Sequence, residues 1–305
     1  MKDEDSRKLK SAISGILIVD KPSGMTSHDV VAIIRKGTGL RRIGHTGTLD
    51  PRASGVLVIL IGPAVRLSEY LVSDQKGYEA MIRFGSVSDT YDGDGKVVQT
   101  GHEAPEDEEE IMDAMSDFLG EIVQVPPAYS AIKIHGQKAY DLARKGQEVN
   151  LNARKVTIYS FDFIEYARPE LTADIRCSSG TYIRSIAHDL GQKLGCGAYL
   201  SGLRRTLSGN FSLRDAVPLA ALQKAFEEGN WYQYLIPAAE ALNNYEEVFL
   251  DMDTEADILH GRRIPAEPGP HDAMGKAVSE QGELIALLEY LPETGEWKPR
   301  KVFYQ

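Results

Sequence analysis

A single carboxylate, Asp50, lies in the glycine-rich loop GHTGTLDPRASG at residues 44–55. A carboxylate presented by such a loop can act as a nucleophile or stabilise a cationic carbon centre. Asp50 also precedes Pro51, and an Asp-Pro pair commonly starts a helix, with Asp as the N-cap and Pro at the first helical position. Taken alone, the spacing favours the helix cap.

A second stretch with reactive side chains is CSSGTYIRSIAHDLG, at residues 177–191. Cys177, Ser178 or Ser179 with His188 downstream suggests covalent catalysis, but the chain has no Gly-x-Ser-x-Gly elbow and no third group to orient the histidine. Helical spacing places Tyr182 and Ile186 on one face and makes Arg184 an ordinary surface residue. The segment therefore predicts a helix rather than a hydrolase site.

The sequence predicts neither a metal site nor a cofactor. The segment DTYDGDG, at residues 89–95, resembles a calcium loop, but Tyr91 or Lys96 falls where a ligand is needed. It is interpreted as a hairpin turn. There is no phosphate-binding or dinucleotide-binding glycine motif and no histidine pair with metal-ligand spacing. The two cysteines, Cys177 and Cys196, are expected to be reduced and structural.

Composition indicates a globular protein. Of 305 residues, 42% are hydrophobic and 26% charged, and the net charge of −11 argues against non-specific coating of nucleic acid. The charge is uneven: residues 31–66 hold six bases and one acid, whereas residues 101–121 hold nine acids and no base. This arrangement can steer a polyanion to one region, although two solvated faces of opposite sign explain it equally well. A polar N-terminus and short apolar runs predict a cytoplasmic protein without a membrane segment.

The elements that would position these residues form an α+β fold with a mixed, largely antiparallel sheet. Strands are expected at residues 16–19 and 55–64, with a helix between them that has Ser27 as its N-cap and is stopped by Gly37 or Gly39. A short helix is expected over 65–73, and two strands joined by a turn over 92–95. The acidic stretch 104–120 is expected to form a surface helix that buries Ile111, Met115, Phe118 and Leu119.

Five motifs in order resemble the TruB family of pseudouridine synthases, over residues 15–211. They are GILIVDKPSGMTSHDVV, GHTGTLDPRASGVLVILIG, KGYEAMIRFG, VPPAYSAIKIHGQKAYDLARKG and CSSGTYIRSIAHDLGQKLGCGAYLSGLRR. The resemblance implies isomerisation of a uridine in the T-loop of tRNA, position 55, to pseudouridine without metal or cofactor. It also implies three parts: a polar tail at 1–14, a catalytic domain at 15–248 with an RNA-clamping insertion at about 122–155, and a small β-rich domain of PUA type at 249–305.

The resemblance also implies roles for single residues. Asp50 matches the essential aspartate, Arg184 the arginine placed against it, and Tyr78 the tyrosine that stacks on the flipped base and is implicated in removing the C5 proton. Tyr182 and Leu203 match residues that line the uracil pocket, and His45 the histidine near the flipped nucleotide. Attack at C1′, attack at C6 of the ring and a glycal route all stay open.

RNA contacts are expected from the basic residues of the insertion and of the loop before residue 44. The candidates are Arg41, Arg42, Lys133, His135, Lys138, Arg144 and Lys145. The C-terminal segment departs from the family because residues 251–305 hold eleven acids and six bases. The expected partner is the tRNA T-arm, with no obligate protein partner and a monomeric state.

Three other functions stay open at this stage. A dyskerin-like synthase would need a guide RNA, although the chain lacks lysine-rich tails and carries the insertion of the guide-independent branch. An RNA-folding chaperone would use catalysis only secondarily. A nucleosidase would release free uracil.

Overall fold

The computed structural model describes residues 13–71, 75–127, 129, 133–134, 137–138 and 151–303. Its strands, in chain order, are β1 Gly15–Lys21, β2 Ile43–Thr46, β3 Ser54–Ile61, β4 Gln75–Phe84, β5 Ser86–Ser88, β6 Val97–Gln99, β7 Gly120–Gln124, β8 Lys133–Ile134, β9 Gln137–Lys138, β10 Arg154–Ala167, β11 Glu170–Ser178, β12 Ala198–Ser208, β13 Phe211–Ser212, β14 Val217–Pro218, β15 Glu246–Phe249, β16 Ile264–Pro265, β17 Met274–Val278, β18 Leu284–Leu291 and β19 Glu296–Val302.

The α-helices contain fewer residues in total than the strands. They are α1 Ser27–Thr38, α2 Ser68–Leu71, α3 Glu108–Ser116, α4 Ile183–Lys193, α5 Leu219–Glu228, α6 Ala238–Ala241 and α7 Met252–Leu259. Three short 3-10 helices cover Gly62–Leu67, Leu213–Asp215 and Trp231–Tyr234.

A large mixed sheet organises the described chain. Its strand order is β14-β1-β3-β12-β4-β11-β10-β7, with β2 paired to β3 and β13 paired to β12. The β1–β14 and β3–β12 pairs are parallel, and the other pairs are antiparallel. The predicted α+β class with a largely antiparallel sheet is confirmed.

Strands β1 and β3 are apolar because both of their faces are covered. In β1, Leu17 and Val19 join a core with α1 and α5, whereas Ile16 and Ile18 pack on the opposite side with Phe211. Alternate residues of a strand point to opposite faces, so burial of both faces requires a continuous apolar run. This explains the runs ILIV and VLVILI.

Helix α1 begins one residue earlier than the sequence suggests. Thr26, not Ser27, is the N-cap, and it forms a capping box with Asp29. Ser27 instead faces inward, where its hydroxyl donates to the carbonyl of Leu49 (3.1 Å) and accepts from the Leu49 amide (2.9 Å). The helix ends at Gly39, which adopts φ +68°, as one of the two predicted stops requires. Ser27 thereby ties α1 to the loop that carries Asp50.

Three central strands bring the candidate residues together. On β12, Arg205 lies opposite Tyr78 of β4 and, on the other side, opposite Gly55 of β3. Gly55 has φ +100°, and a Cβ atom there would lie 2.2 Å from the carbonyl oxygen of Arg205. Only glycine permits this approach of β3 to β12.

The C-terminal residues form a separate five-stranded sheet in the order β15-β17-β18-β19-β16. Trp297, 1% exposed, is at the centre of its core. Contacts with the larger sheet run through a shared apolar cluster that contains Leu67, Leu242 and Phe303. The sheet begins at Glu246, three residues before the boundary expected from the sequence.

Several local predictions are wrong. No helix follows Asp50: Pro51 and Arg52 form a bend that leads into β3. The helix expected over 65–73 is helical as far as the structure describes it, to residue 71, but as the end of a 3-10 helix followed by the single turn α2. Leu119 is 50% exposed and lies beyond the end of α3, where its side chain adds nothing to the core. No helix in the described part of the chain is long and apolar enough to cross a membrane.

Candidate active site

A cavity of about 1190 Å³ opens beside the central strands of the large sheet. Strands β4 and β12, the loop before β3, the β5–β6 turn and the start of α4 all contribute to its wall. The lining includes Asp50, Tyr78, Asp92, Arg154, Tyr182, Arg184, Leu203 and Arg205.

A buried lysine, Lys21, fixes the backbone of the Asp50 loop by hydrogen bonds. Lys21 is 0% exposed, and its ammonium donates to the carbonyls of Pro22 (3.0 Å), Met25 (2.7 Å) and Pro51 (3.2 Å). Burial lowers the pKa of Lys21 to about 8, and the negative charge of Asp50 works against that decrease. Lys21 therefore fixes the backbone next to the candidate nucleophile.

Arg184 bridges two carboxylates. Its Nε lies 3.2 Å from Oδ2 of Asp50, and one terminal nitrogen donates to Oδ2 of Asp92 at 3.0 Å. The Arg184 side chain is 8% exposed and that of Asp92 is 11%, whereas that of Asp50 is 42% exposed to the cavity. The surface position that helical spacing predicts for Arg184 is wrong. Asp50 keeps one face open while Arg184 fixes its other side.

Asp92 is held in turn by its own loop. Its second oxygen, Oδ1, accepts from the Thr90 hydroxyl (2.6 Å) and the Asp94 amide (2.9 Å). The preceding Tyr91 has φ +64°, which is unusual for a side chain of this size. Its ring stacks on His188 of α4, with centroids 3.9 Å apart and planes 12° apart. Arg184 and His188 are one turn apart on α4, so the helix contacts both Asp92, through Arg184, and Tyr91, through His188.

The net environment raises the pKa of Asp50. Desolvation by burial is the main cause, the Arg184 charge acts in the opposite direction, and the Asp92 charge adds to the increase. A carboxylate with a raised pKa is a stronger nucleophile than an ordinary aspartate, provided that it stays ionised. The positive charge of Arg184 favours the ionised form of Asp50.

Tyr78 reaches the cavity from β4 with its hydroxyl hydrogen-bonded to Arg205. Arg205 is 1% exposed and also donates to the carbonyls of Val56 (2.7 Å) and Gly47 (3.2 Å). Burial raises the pKa of Tyr78 above its ordinary value of 10, so its hydroxyl stays protonated at neutral pH. The ring of Tyr78 is thus a fixed apolar wall, and the phenol is poorly suited to act as a base in its resting state.

Tyr182 and Leu203 complete the wall. The side chain of Gln124 on β7 accepts from the Tyr182 amide (2.8 Å) and donates to the Tyr182 carbonyl (3.0 Å). Arg154 lies over the Tyr182 ring, 4.6 Å from its centroid. The residue before α4 is therefore fixed by two strands of the large sheet.

Other candidates from the sequence lie elsewhere. His45, on β2, does not line the cavity; burial lowers its pKa, and its ring meets His28 edge-on at 5.8 Å. Arg41 and Arg42 are exposed, and within the described residues neither forms an ion pair. The side chains of Lys133 and Lys138, and all of His135, Arg144 and Lys145, lie outside the described residues.

Sequence reasoning did not single out Asp92, Arg205, Lys21 or Arg154. The sequence predicts only a turn at Asp92, and Arg205 follows another arginine, Arg204, which points away from the cavity and pairs with Asp20 at 2.8 Å. The signal that was available is strand alternation: Leu203 and Arg205 share a face of β12. Across the described part of the chain, no group of three or more His, Cys, Asp or Glu residues is placed to hold a metal ion.

Comparison with known proteins identifies what this geometry resembles. The family model of the TruB family pseudouridylate synthase N-terminal domain matches residues 35–183, and that of the tRNA pseudouridylate synthase B C-terminal domain matches residues 184–244. A tRNA pseudouridine synthase B of Dehalococcoides mccartyi is 41% identical over 95% of this chain and 97% of its own. That of Opitutus terrae is 48% identical over 70% of this chain and 89% of its own.

Solved structures with the same fold belong to more distant relatives. A chain in a Cbf5-Nop10-Gar1 complex superposes with a TM-score of 0.73 at 27% identity, covering 97% of this chain and 87% of that one. A chain in an H/ACA RNP bound to a substrate RNA containing 2′-deoxyuridine gives a TM-score of 0.71 at 26% identity, over 95% and 85%.

Proposed function

The chain belongs to the TruB family and is a tRNA pseudouridine synthase, and we propose that it isomerises the T-loop uridine, position 55, with Asp50 as the nucleophile. The observation that carries the proposal is the position of Asp50, open to the cavity on one side and held by Arg184 at 3.2 Å on the other.

The proposed reaction starts with eversion of the uridine into the cavity. Unstacking the base costs a few kcal/mol, which is offset by contacts inside the site. Tyr78 and Leu203 supply apolar surface for the uracil ring, and Tyr182 forms the wall next to α4. The cavity must retain the uracil between the two chemical steps and keep water from the reacting carbon.

The proposed chemistry conserves every atom of the nucleotide. The Asp50 carboxylate attacks C1′, and the C1′–N1 bond breaks with its electron pair on N1. The uracil turns, C5 attacks C1′, and the bond to Asp50 breaks to regenerate the carboxylate. The proton then leaves C5 and N1 gains one. A single carboxylate suffices because no water has to be activated, unlike in most glycosidases.

Arg184 and Asp92 have positioning roles in this proposal. Arg184 keeps Asp50 ionised before attack, and Asp92 keeps Arg184 from swinging into the cavity, because it occupies a terminal nitrogen at 3.0 Å. Lys21 and Arg205 hold the backbone on the two sides of Asp50, at Pro51 and Gly47.

We propose that the T-arm itself is the recognised element and that the chain acts as a cytoplasmic monomer without a guide RNA. Guide independence is supported by 40–48% identity to curated tRNA pseudouridine synthase B proteins, against 25–27% to chains of two H/ACA assemblies and of a Cbf5-Nop10-Gar1 complex. The basic residues Arg41 and Arg42 are exposed, directly before β2, and are candidates for T-arm contacts.

The test is pseudouridine mapping of a tRNA transcript incubated with the purified chain alone. We expect modification at the T-loop uridine only, with no free uracil. Modification that requires a guide RNA would favour a guide-dependent synthase, and free uracil would indicate a nucleosidase. A biological phenotype rescued by Asp50→Asn would indicate a chaperone function.

A further inference from the structure

Among the described residues, the cations that line the cavity include the buried Lys76, and the other four differ in how far their charge is compensated. Arg184 faces two carboxylates, and Arg205 is buried beneath Tyr78 and two backbone carbonyls. Lys96 lies at the exposed rim, in a turn that also carries Asp89 and Asp94. Arg154 differs from these: among the residues that the structure describes, no carboxylate pairs with it.

Arg154 is nevertheless held in place. It is the first residue of β10, directly opposite Gln124 of β7, which grips both backbone groups of Tyr182. Its guanidinium lies over the Tyr182 ring at 4.6 Å, and a terminal nitrogen donates to the carbonyl of Gly180. Stacking on an aromatic ring leaves the outer edge of a guanidinium available for further hydrogen bonds.

The location of Arg154 fits the path of the RNA backbone. Gly180 is exposed and Tyr182 is half-buried, so the part of the cavity wall that contains Arg154 extends from the interior of the cavity to solvent. Asp50 must reach C1′ deep in the cavity, which leaves the phosphates of the everted nucleotide at the opening. The Nε of Arg154 is buried and has no acceptor among the described residues. A small movement of this side chain toward an anion would satisfy that donor.

We propose that Arg154 binds a backbone phosphate adjacent to the everted uridine, with Tyr182 supporting the guanidinium. Arginine suits this task because its planar fork matches two phosphate oxygens. The contact supplies affinity and fixes the depth to which the nucleotide enters. This inference rests on the proposed function of the cavity, because it assumes that the uridine enters beside Asp50.

A matched control lies one residue away. Lys155 carries the same charge, but its side chain is 72% exposed and pairs with Glu121 at 2.7 Å. Successive residues of a strand point to opposite faces, so Lys155 faces away from the cavity. Lys155→Gln therefore removes one positive charge without touching the proposed phosphate site.

The experiment measures the dissociation constant of a tRNA transcript at several KCl concentrations. The uridine of the transcript has already been fully converted to pseudouridine, so that no turnover occurs. Loss of one phosphate contact lowers the slope of log K against log salt by about 0.7. For Arg154→Gln we expect that decrease in slope. The ratio of its dissociation constant to that of wild type should therefore be about 2.6-fold smaller at 200 mM KCl than at 50 mM KCl. Arg154→Lys and Lys155→Gln should both keep the wild-type slope.

An unchanged slope in Arg154→Gln would overturn the inference, and so would an equal decrease in Lys155→Gln. A second measurement alters the RNA instead of the protein and so does not depend on the folding of Arg154→Gln. A T-arm stem-loop with a methylphosphonate at one phosphate flanking the uridine should lower the slope for wild type. If neither flanking position does so, the inference is wrong. Failure of wild type to convert the transcript would contradict the proposed function instead.

Discussion

Replacement of Arg184 by glutamine should move the acidic limb of the pH–rate profile to higher pH. Arg184 lowers the pKa of Asp50 and is its nearest positive charge, at 3.2 Å. When it is removed, two carboxylates share a poorly solvated site, and Asp50 holds its proton more tightly. The reaction needs the ionised carboxylate, so activity is lost on the acidic side of the higher pKa.

The size of the shift follows from the distance. Two unit charges 3.2 Å apart interact by about 5 kcal/mol at an effective dielectric constant of about 20, and by about 1.3 kcal/mol in water. The Asp50 side chain is 42% exposed, so solvent screens the pair and about 2 kcal/mol is a reasonable value. Loss of this interaction therefore raises the pKa of Asp50 further.

The assay is kcat/KM for a tRNA transcript between pH 5 and 9, because this ratio reports the ionisation of the free enzyme. We expect Arg184→Gln to lose about 100- to 1000-fold at high pH, as for other preorganised charged groups, and progressively more below neutrality. Arg184→Lys keeps the charge but cannot bridge both carboxylates, so it should lose rate without a shifted limb. If the ratio of wild-type to Arg184→Gln activity is constant from pH 5 to 9, the argument is refuted.

Three further substitutions probe the surroundings of the site. Asp92→Asn should shift the acidic limb in the opposite direction, to lower pH, because the Asp92 charge raises the pKa of Asp50. In the same pH series, its kcat/KM should fall about 10- to 100-fold because Arg184 loses a charged hydrogen bond. Lys21→Met should lower the free energy of unfolding by about 2 kcal/mol, measured by denaturant titration, because the carbonyls of Pro22, Met25 and Pro51 lose the charged donor that they share. His271 has a raised pKa, caused mainly by its hydrogen bond to Glu246. Its contribution to stability should therefore be complete below its unfolded-state pKa and disappear as the pH rises through the folded-state pKa. His271→Gln should flatten this pH dependence of the free energy of unfolding, with Trp297 as the reporter of unfolding.

The sequence predicts elements well where one local pattern decides them. The apolar runs of β1 and β3 and the amphipathic stripe of α1 all correspond to observed elements. The Asp50–Pro51 pair shows where such patterns fail. Its spacing favours a helix start, but β3 pairs with β1 from Gly55 onward, opposite Lys21, and this pairing leaves no room for a helical turn.

The candidate site shows the same division. Asp50, Tyr78 and Arg184 stand in motifs that the resemblance covers, so they could be named without coordinates. Asp92 lies in a turn whose composition predicts only a hairpin, and it meets an arginine 92 positions away in the chain. Arg205 is distinguished from Arg204 only by which face of β12 it occupies. Such contacts depend on sheet register, which no short motif encodes.

The central claim is that Asp50 is the nucleophile, and Asp50→Asn tests it most directly. The amide has nearly the same shape as the carboxylate but is a much weaker nucleophile. The measurement is pseudouridine formation in a tRNA transcript, together with the thermal unfolding of the variant and its affinity for the transcript. We predict a folded protein that binds the transcript and forms no pseudouridine. Turnover at the wild-type rate by folded Asp50→Asn would contradict the account.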